Sequence, residues 1–329
     1  MEVKKTGDNN SNVADELEAI VSCCSNIGGR DYQEDRSGFW LNDKNGHFFA
    51  VVLDGAGGHG GGAEAAEAAV VQAEEYWKKT KGRVKDAELY LKSFFELAHE
   101  SVISESKKIN KSGRAAIVAV AVDRKKIHWI YAGDCRLYRI GKDEIIERTR
   151  DDSVVQVLFE SGEISEEEMG THPDQNRLLQ SLGTNEPPTP RCGYAELDDD
   201  EVILLCSDGF WENLSKNDII KLAQCSPKER DQLLNDAVNQ AVINGGESAD
   251  NTTALMFSTS DVMKVEQKGQ DDFLKFILLI LWCLIMIGGI IWIISYDFSA
   301  KDATPLKKVS ETLQKDIVDG PKEINEVKE

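Results

Sequence analysis

The sequence predicts an α+β domain built on two stacked β-sheets covered by helices, followed by one transmembrane helix. Three observations lead there. Short runs at 48–53, 202–206 and 252–257 are apolar at nearly every position, so their strands must be covered on both faces. Two long amphipathic stretches, 62–80 and 87–109, are grouped early instead of alternating singly with strands, which fits a layered α+β domain better than a βαβ series. Residues 276–294 form an uncharged apolar run of the roughly 20-residue length that a bilayer core demands.

Taken in order, residues 1–18 are a polar leader with no apolar core segment, so no secretory signal is expected. Residues 19–260 read as one domain. Within it, 62–80 is rich in Ala and Glu and follows a glycine-rich turn, which predicts a helix. In 87–109 the stripe Leu91, Phe94, Phe95, Ala98, Val102 and Ile103 predicts a second. Residues 115–122 and 126–140 are expected as adjacent strands joined by a tight turn at Asp123-Arg124, and further helices at 154–161 and 228–244. The acidic stretch 162–176 offers few large apolar side chains and is expected to be a mobile flap. A polar linker, 261–272, leads to the apolar helix, 273–295, with Lys275 able to snorkel at one interface and Trp292 and Tyr296 suited to the other. Residues 296–329 are a charged tail.

A formal net charge of −20 argues against nucleic-acid binding, which needs an excess of Lys and Arg. The 7 cysteines show no CxxC or Cys/His spacing of the zinc kind and read as small hydrophobes kept reduced.

The chemistry lies in four acids at strand ends. Asp54, Asp134 and Asp208 each close an apolar run, and Asp250 stands just ahead of another. One such acid reads as an ordinary turn residue. Four with the same syntax can be aimed from rigid strands at one point, where their repulsion calls for hard divalent cations with oxygen ligands. Ahead of them, Arg30 offers a planar fork for phosphate oxygens, and Glu34 and Asp35 are acceptors suited to orienting waters. The glycine-rich segment 55–62 lets backbone come close to an ion or phosphate; with no Lys-Ser/Thr after it and no GxGxxG register, it is not a nucleotide loop.

The ordered motifs Arg30…Glu34-Asp35, Asp54-Gly55-x-Gly57-Gly58-His59, Gly133-Asp134-x-Arg136, Ser207-Asp208-Gly209 and Asp250-Asn251-Thr252 resemble the metal-dependent serine/threonine protein phosphatases of the PPM (type 2C) family in their bacterial form. Asp152-Ser153, His172-Pro173 and Ser181-Leu182-Gly183 match as well, and the likeness spans about 19–258. The resemblance implies a central β-sandwich flanked by helix pairs and a site for two Mg²⁺ or Mn²⁺ ions. Asp54 would bridge the two, Asp208 and Asp250 would complete the first position, and the Gly55 carbonyl would join the second. Glu34 would act through a water, Asp134 with Asp208 would form a third, weaker position, and Arg30 would hold the substrate phosphate. Phosphorylated proteins, the products of a Ser/Thr kinase, would be the substrates.

The chain departs from the family pattern at Ala56, where some members carry a His proposed as general acid, at Gly113-Arg114-Ala115-Ala116, and at Cys135 after Asp134. His59, three residues beyond Ala56, does not simply inherit the acid's role. A membrane-anchored pseudophosphatase scaffold and a hydrolase of small phosphate esters stay open beside the main reading. The expected disposition is a single-pass membrane protein with its catalytic domain in the cytoplasm.

Overall fold

The computed structural model describes residues 4–5, 20–42, 46–57, 61–123, 126–198, 201–226, 228–262, 274–293, 308–310 and 313–314. Contacts divide the chain into two compact units, Met1–Gln270 and Asp271–Glu329.

In the first unit, β1 (Lys4–Lys5), β3 (Arg36–Asn42), β4 (His47–Ala56), β5 (Arg114–Asp123), β6 (Lys126–Ala132) and β9 (Arg191–Glu196) form a six-stranded sheet in the order β1-β3-β4-β5-β6-β9. A five-stranded sheet runs β2-β11-β10-β7-β8, from β2 (Val21–Asn26), β11 (Thr252–Ser258), β10 (Val202–Cys206), β7 (Arg136–Ile140) and β8 (Ile145–Arg148). Every pairing is antiparallel except β1 with β3. Most of 1–18, Arg124 of the expected tight turn, and most of 261–272 and 296–329 lie outside the described residues.

Period-2 alternation explains why β4 reads as continuous apolar sequence. Phe48, Ala50 and Val52 enter the core between the sheets, with Phe39, Val118, Val120, Leu137, Leu205 and Phe257. Phe49, Val51 and Leu53 face the other way, into a core shared with helices α1 (Gly61–Lys79) and α2 (Ala87–Ile109). Alanines 65, 66, 69 and 73 let α1 lie close to the sheet. The Phe49 ring touches Trp40, Tyr90 and Phe94 at centroid distances of 5.0–5.3 Å. Asp86 caps α2 by accepting from the Leu89 amide, and Asn110 ends it in the left-handed conformation. On the far side of the second sheet, α3 (Val154–Ser161), α4 (Asp208–Trp211), α5 (Lys216–Lys221) and α6 (Arg230–Gly245) contribute to a third core, with Tyr138, Leu204 and Met256. The result is the expected sandwich with helices on both faces.

One expectation needs correction. The run 126–140 is not one strand: β6 ends at Ala132 in one sheet and β7 begins at Arg136 in the other. Gly133 makes the crossing, with φ +100° and the Ala116 side chain only 2.5 Å from where a Cβ would sit, so a larger residue is strained there. Within 162–176, expected to be a mobile flap, Met169 is fully buried, Ile164 packs on the third core and Arg148 holds Glu166 at 2.8 Å, while most of the other residues are exposed or half-buried.

In the second unit, helix α7 (Leu274–Ile293) has mean hydropathy 2.8 and none of its surface buried by protein.

Candidate active site

Strand register explains why the expected residues meet. Arg36 pairs with Leu53, Asp54 with Ala116, Cys206 with both Arg136 and Ala254, and Thr252 with Asn26. Hence the start of β3, the end of β4, the start of β7, the end of β10 and the start of β11 all lie at one end of the sandwich. Asp54 is two residues beyond Val52 and continues the inter-sheet face past the last apolar side chain. Asp134 sits in the crossing between sheets. Asp208 opens α4, with Ser207 at its N-cap. Arg30, Glu34 and Asp35 come from the β2–β3 connection at the same end.

Backbone approach fixes that connection. Gly28 has φ +64°, and a Cβ on it would stand 2.4 Å from the Asp250 carbonyl. Gly29 N–H donates to the Ala249 carbonyl at 2.9 Å. Asn251 ties the two loops together: its Oδ1 accepts from the Glu34 amide at 2.7 Å and its Nδ2 donates to the Ile27 carbonyl at 2.8 Å. Gly55 N–H donates to the Glu34 carbonyl at 3.2 Å.

The electrostatics are those of crowded carboxylates. Burial, then Asp208, Asp35 and Asp134, raise the Asp54 pKa well above the usual range. Burial and Asp208 do the same to Asp134. Asp208 is pushed up to about 6 by burial and Asp250, and Asp35 to about 7 by burial against the opposing bond from Ser207. Glu34 is raised chiefly by burial. Asp35 Oδ2 accepts from Ser207 Oγ at 2.7 Å, and Ser207 Oγ accepts from the Thr253 amide at 2.9 Å. Asp208 Oδ1, Glu34 Oε1 and Asp35 Oδ1 are buried with no hydrogen-bond partner. Buried, mutually repelling carboxyl oxygens left without donors fit hard divalent cations.

Asp250 is placed differently from the others. Its Oδ2 accepts from Arg30 at 2.5 Å and its Oδ1 from the Asn251 amide at 2.8 Å. Arg30, half-exposed, is therefore paired and does not stand free for a phosphate. Among the described residues no three His, Cys, Asp or Glu side chains form a closed ligand cage.

Compared with known proteins, residues 25–239 match the family model of protein phosphatase 2C. The chain belongs to the protein phosphatase 2C family. It is a serine/threonine phosphatase of the bacterial type. The serine/threonine phosphatase stp of Listeria innocua is 28% identical over 246 residues, covering 74% of this chain and 94% of that protein. The Streptococcus agalactiae serine/threonine phosphatase structure is 29% identical, with TM-score 0.60 over 72% of this chain and 98% of the other. The catalytic domain of the phosphatase PstP, solved in complex with 2 manganese ions, shares the fold at 20% identity, with TM-score 0.61 over 72% of this chain and 96% of the other.

Glu212 and the packing of Arg136 went unread in the sequence of this phosphatase. Glu212 faces Asp208, Asp134 and Asp250 and is raised to about 10, first by burial and then by those carboxylates. Its signal was its place four residues after Asp208, one helical turn on, where its amide donates to the Asp208 carbonyl. Arg136 is buried, paired bidentately with Asp151 at 2.9 and 2.6 Å, and its guanidinium lies 3.3 Å from the Trp211 ring centre. Trp211 in turn donates to the Asp134 carbonyl at 3.0 Å. Cys24 and Arg30 have the Cys-x5-Arg spacing of thiol-based phosphate loops. The Cys24 thiol, however, bonds Asn235 on α6 at 3.2 Å and is raised by burial, so it is no nucleophile. His59 lies outside the described residues.

Proposed function

We propose that the chain hydrolyses phosphoserine and phosphothreonine on proteins, using two divalent cations, Mg²⁺ or Mn²⁺, from a site tethered to a membrane. The observation that carries the metal reading is the set of buried carboxyl oxygens on Asp208 and Glu34 that have no donor, amid acids that raise one another's pKa. The manganese-bound PstP domain, which shares the fold, supports divalent metal use. Asp54, Asp208, Asp250 and the Gly55 carbonyl would hold the two ions, Glu34 would act through a water, and Asp134 with Asp208 would serve a third position. Such ions supply an acidified water nucleophile and neutralise charge on the phosphoryl oxygens.

The chain's own groups do the rest. Arg30 binds the phosphate, exchanging its single carboxylate bond to Asp250 for the two parallel bonds its fork can make to phosphate oxygens. That exchange also frees an Asp250 oxygen. Ser207, Asp35 and Asn251 hold the three loops in register. Ala56 has no proton to give, so the leaving alkoxide takes its proton from water or from another donor at the site.

Helix α7 is the anchor in this reading, being long and apolar enough to span and unburied by protein. Free cysteines throughout the described residues suit a reducing compartment, where kinases also make phosphoproteins, and both support a cytoplasmic domain. Phosphate release from a phosphothreonine peptide, measured with Mn²⁺ and again with excess chelator, tests the proposal. Turnover unaffected by the chelator would reject the metal-dependent mechanism.

A further inference from the structure

Next to the carboxylate centre lies a groove of about 800 Å³, within the roughly 300–1,000 Å³ range of ligand clefts. One wall is β8, the edge strand of the five-stranded sheet, another is the chain from Glu212 to Ile219, and Glu166, Glu167 and Gly170 line it as well. Glu212 lines the groove and stands one helical turn after Asp208, to whose carbonyl its amide donates at 3.0 Å. Groove and site therefore adjoin.

The β8 wall is made for backbone recognition. It pairs with β7 on one side and has no strand on the other among the described residues. Its charged side chains are turned to partners of their own, Glu147 to Arg139 at 3.1 Å and Arg148 to Glu166 at 2.8 Å. All four β8 residues line the groove, and among them Ile146, 45% exposed, is the large apolar side chain left open to it. An open strand edge offers donors and acceptors to any extended chain, while an apolar contact beside it selects among them.

We propose that this groove holds an extended segment of the substrate protein flanking the phosphorylated residue, paired as an added strand along β8 with an apolar side chain against Ile146. The inference rests on the phosphatase reading above and deepens it: the substrates are phosphoproteins whose phosphosite has an unfolded, apolar flank. A small phosphate ester reaches the carboxylate centre without touching this wall.

The test compares kcat/KM of the full chain in detergent micelles on three substrates: a phosphothreonine peptide with apolar flanks, the same peptide with Gly-Ser flanks, and p-nitrophenyl phosphate. Ile146→Asp is expected to lower kcat/KM on the apolar-flanked peptide about tenfold, through KM, in line with the roughly 10–200-fold that a lost apolar contact commands. The other two substrates should change by less than about twofold on the same scale. N-methylation of the flank amides should produce the same loss in the wild type. An unchanged rate on the apolar-flanked peptide, or an equal loss on p-nitrophenyl phosphate, would overturn the groove. Wild-type protein inert towards p-nitrophenyl phosphate with Mn²⁺ present would instead overturn the phosphatase reading on which the groove depends.

Discussion

Replacing Arg136 by Met removes the cation at the junction of fold and site. In the folded protein the guanidinium makes two bonds to Asp151, donates to the Tyr138 hydroxyl at 3.0 Å and lies over Trp211. Its side chain is 4% exposed and that of Asp151 is not exposed at all. Breaking a buried pair from one side costs about 3–5 kcal/mol, because the other charge is left uncompensated. Arg148 stands 3.9 Å from the same carboxylate and takes up part of that charge, so the lower end, about 3 kcal/mol, is expected. For a domain of this size each kcal/mol moves Tm by about 2–4 °C, giving a fall of roughly 6–12 °C. Urea unfolding followed by tryptophan fluorescence measures it, and Arg136→Met/Asp151→Leu completes a cycle. The double variant should recover more than half the loss, since it buries no orphan charge. A single-variant loss under about 1 kcal/mol, or simple additivity, would refute the reasoning.

Further outcomes follow from the same geometry. Asp35 and Asp208 hold protons up to about 7 and about 6, whereas the unfolded chain releases them near pH 4. The folded state thus binds more protons across that window, and the stability of chelated protein must fall as pH rises through it. Between pH 5.5 and 7.5 these two groups alone should lower stability by about 3 kcal/mol, and saturating Mn²⁺ should raise Tm more at 7.5 than at 5.5; calorimetric scans showing the reverse order would contradict this. Arg30→Ala should chiefly raise KM for phosphopeptide, with kcat nearly unchanged; a fall in kcat alone would make Arg30 a transition-state residue. Protease added outside intact cells should leave the catalytic domain whole, and its digestion there would reverse the proposed orientation.

What the sequence made legible, and what it concealed, divides along physical lines. Residues 48–53 announce a strand buried on both faces because odd and even positions enter different cores. Once such strands share a register, the acids just beyond them must gather at one end, so Asp54, Asp134 and Asp208 could be named in advance. Asp134 closing an apolar run already marked a break after Gly133; what the local pattern did not carry is that the chain changes sheets there, β6 lying in one and β7 in the other. Edge strands β8 and β9 have one pairing partner each and drew no assignment from sequence, since Ile145–Arg148 and Arg191–Glu196 lack a continuous apolar face. Glu212 was concealed by being an ordinary charged residue until the neighbouring carboxylates surround it. The Arg30–Asp250 pair joins residues far apart in the chain, and nothing local to either predicts it.

The central claim is that the carboxylates at this end of the sandwich run a metal-dependent phosphatase. Asp208→Asn tests it most directly, because it keeps the side chain's size while removing its charge from the middle of the cluster. Phosphate release from a phosphothreonine peptide at saturating Mn²⁺ should fall by roughly two to three orders of magnitude, about 3–4 kcal/mol in the barrier, with the circular dichroism of the domain unchanged. Turnover by Asp208→Asn close to that of the wild type would contradict the account.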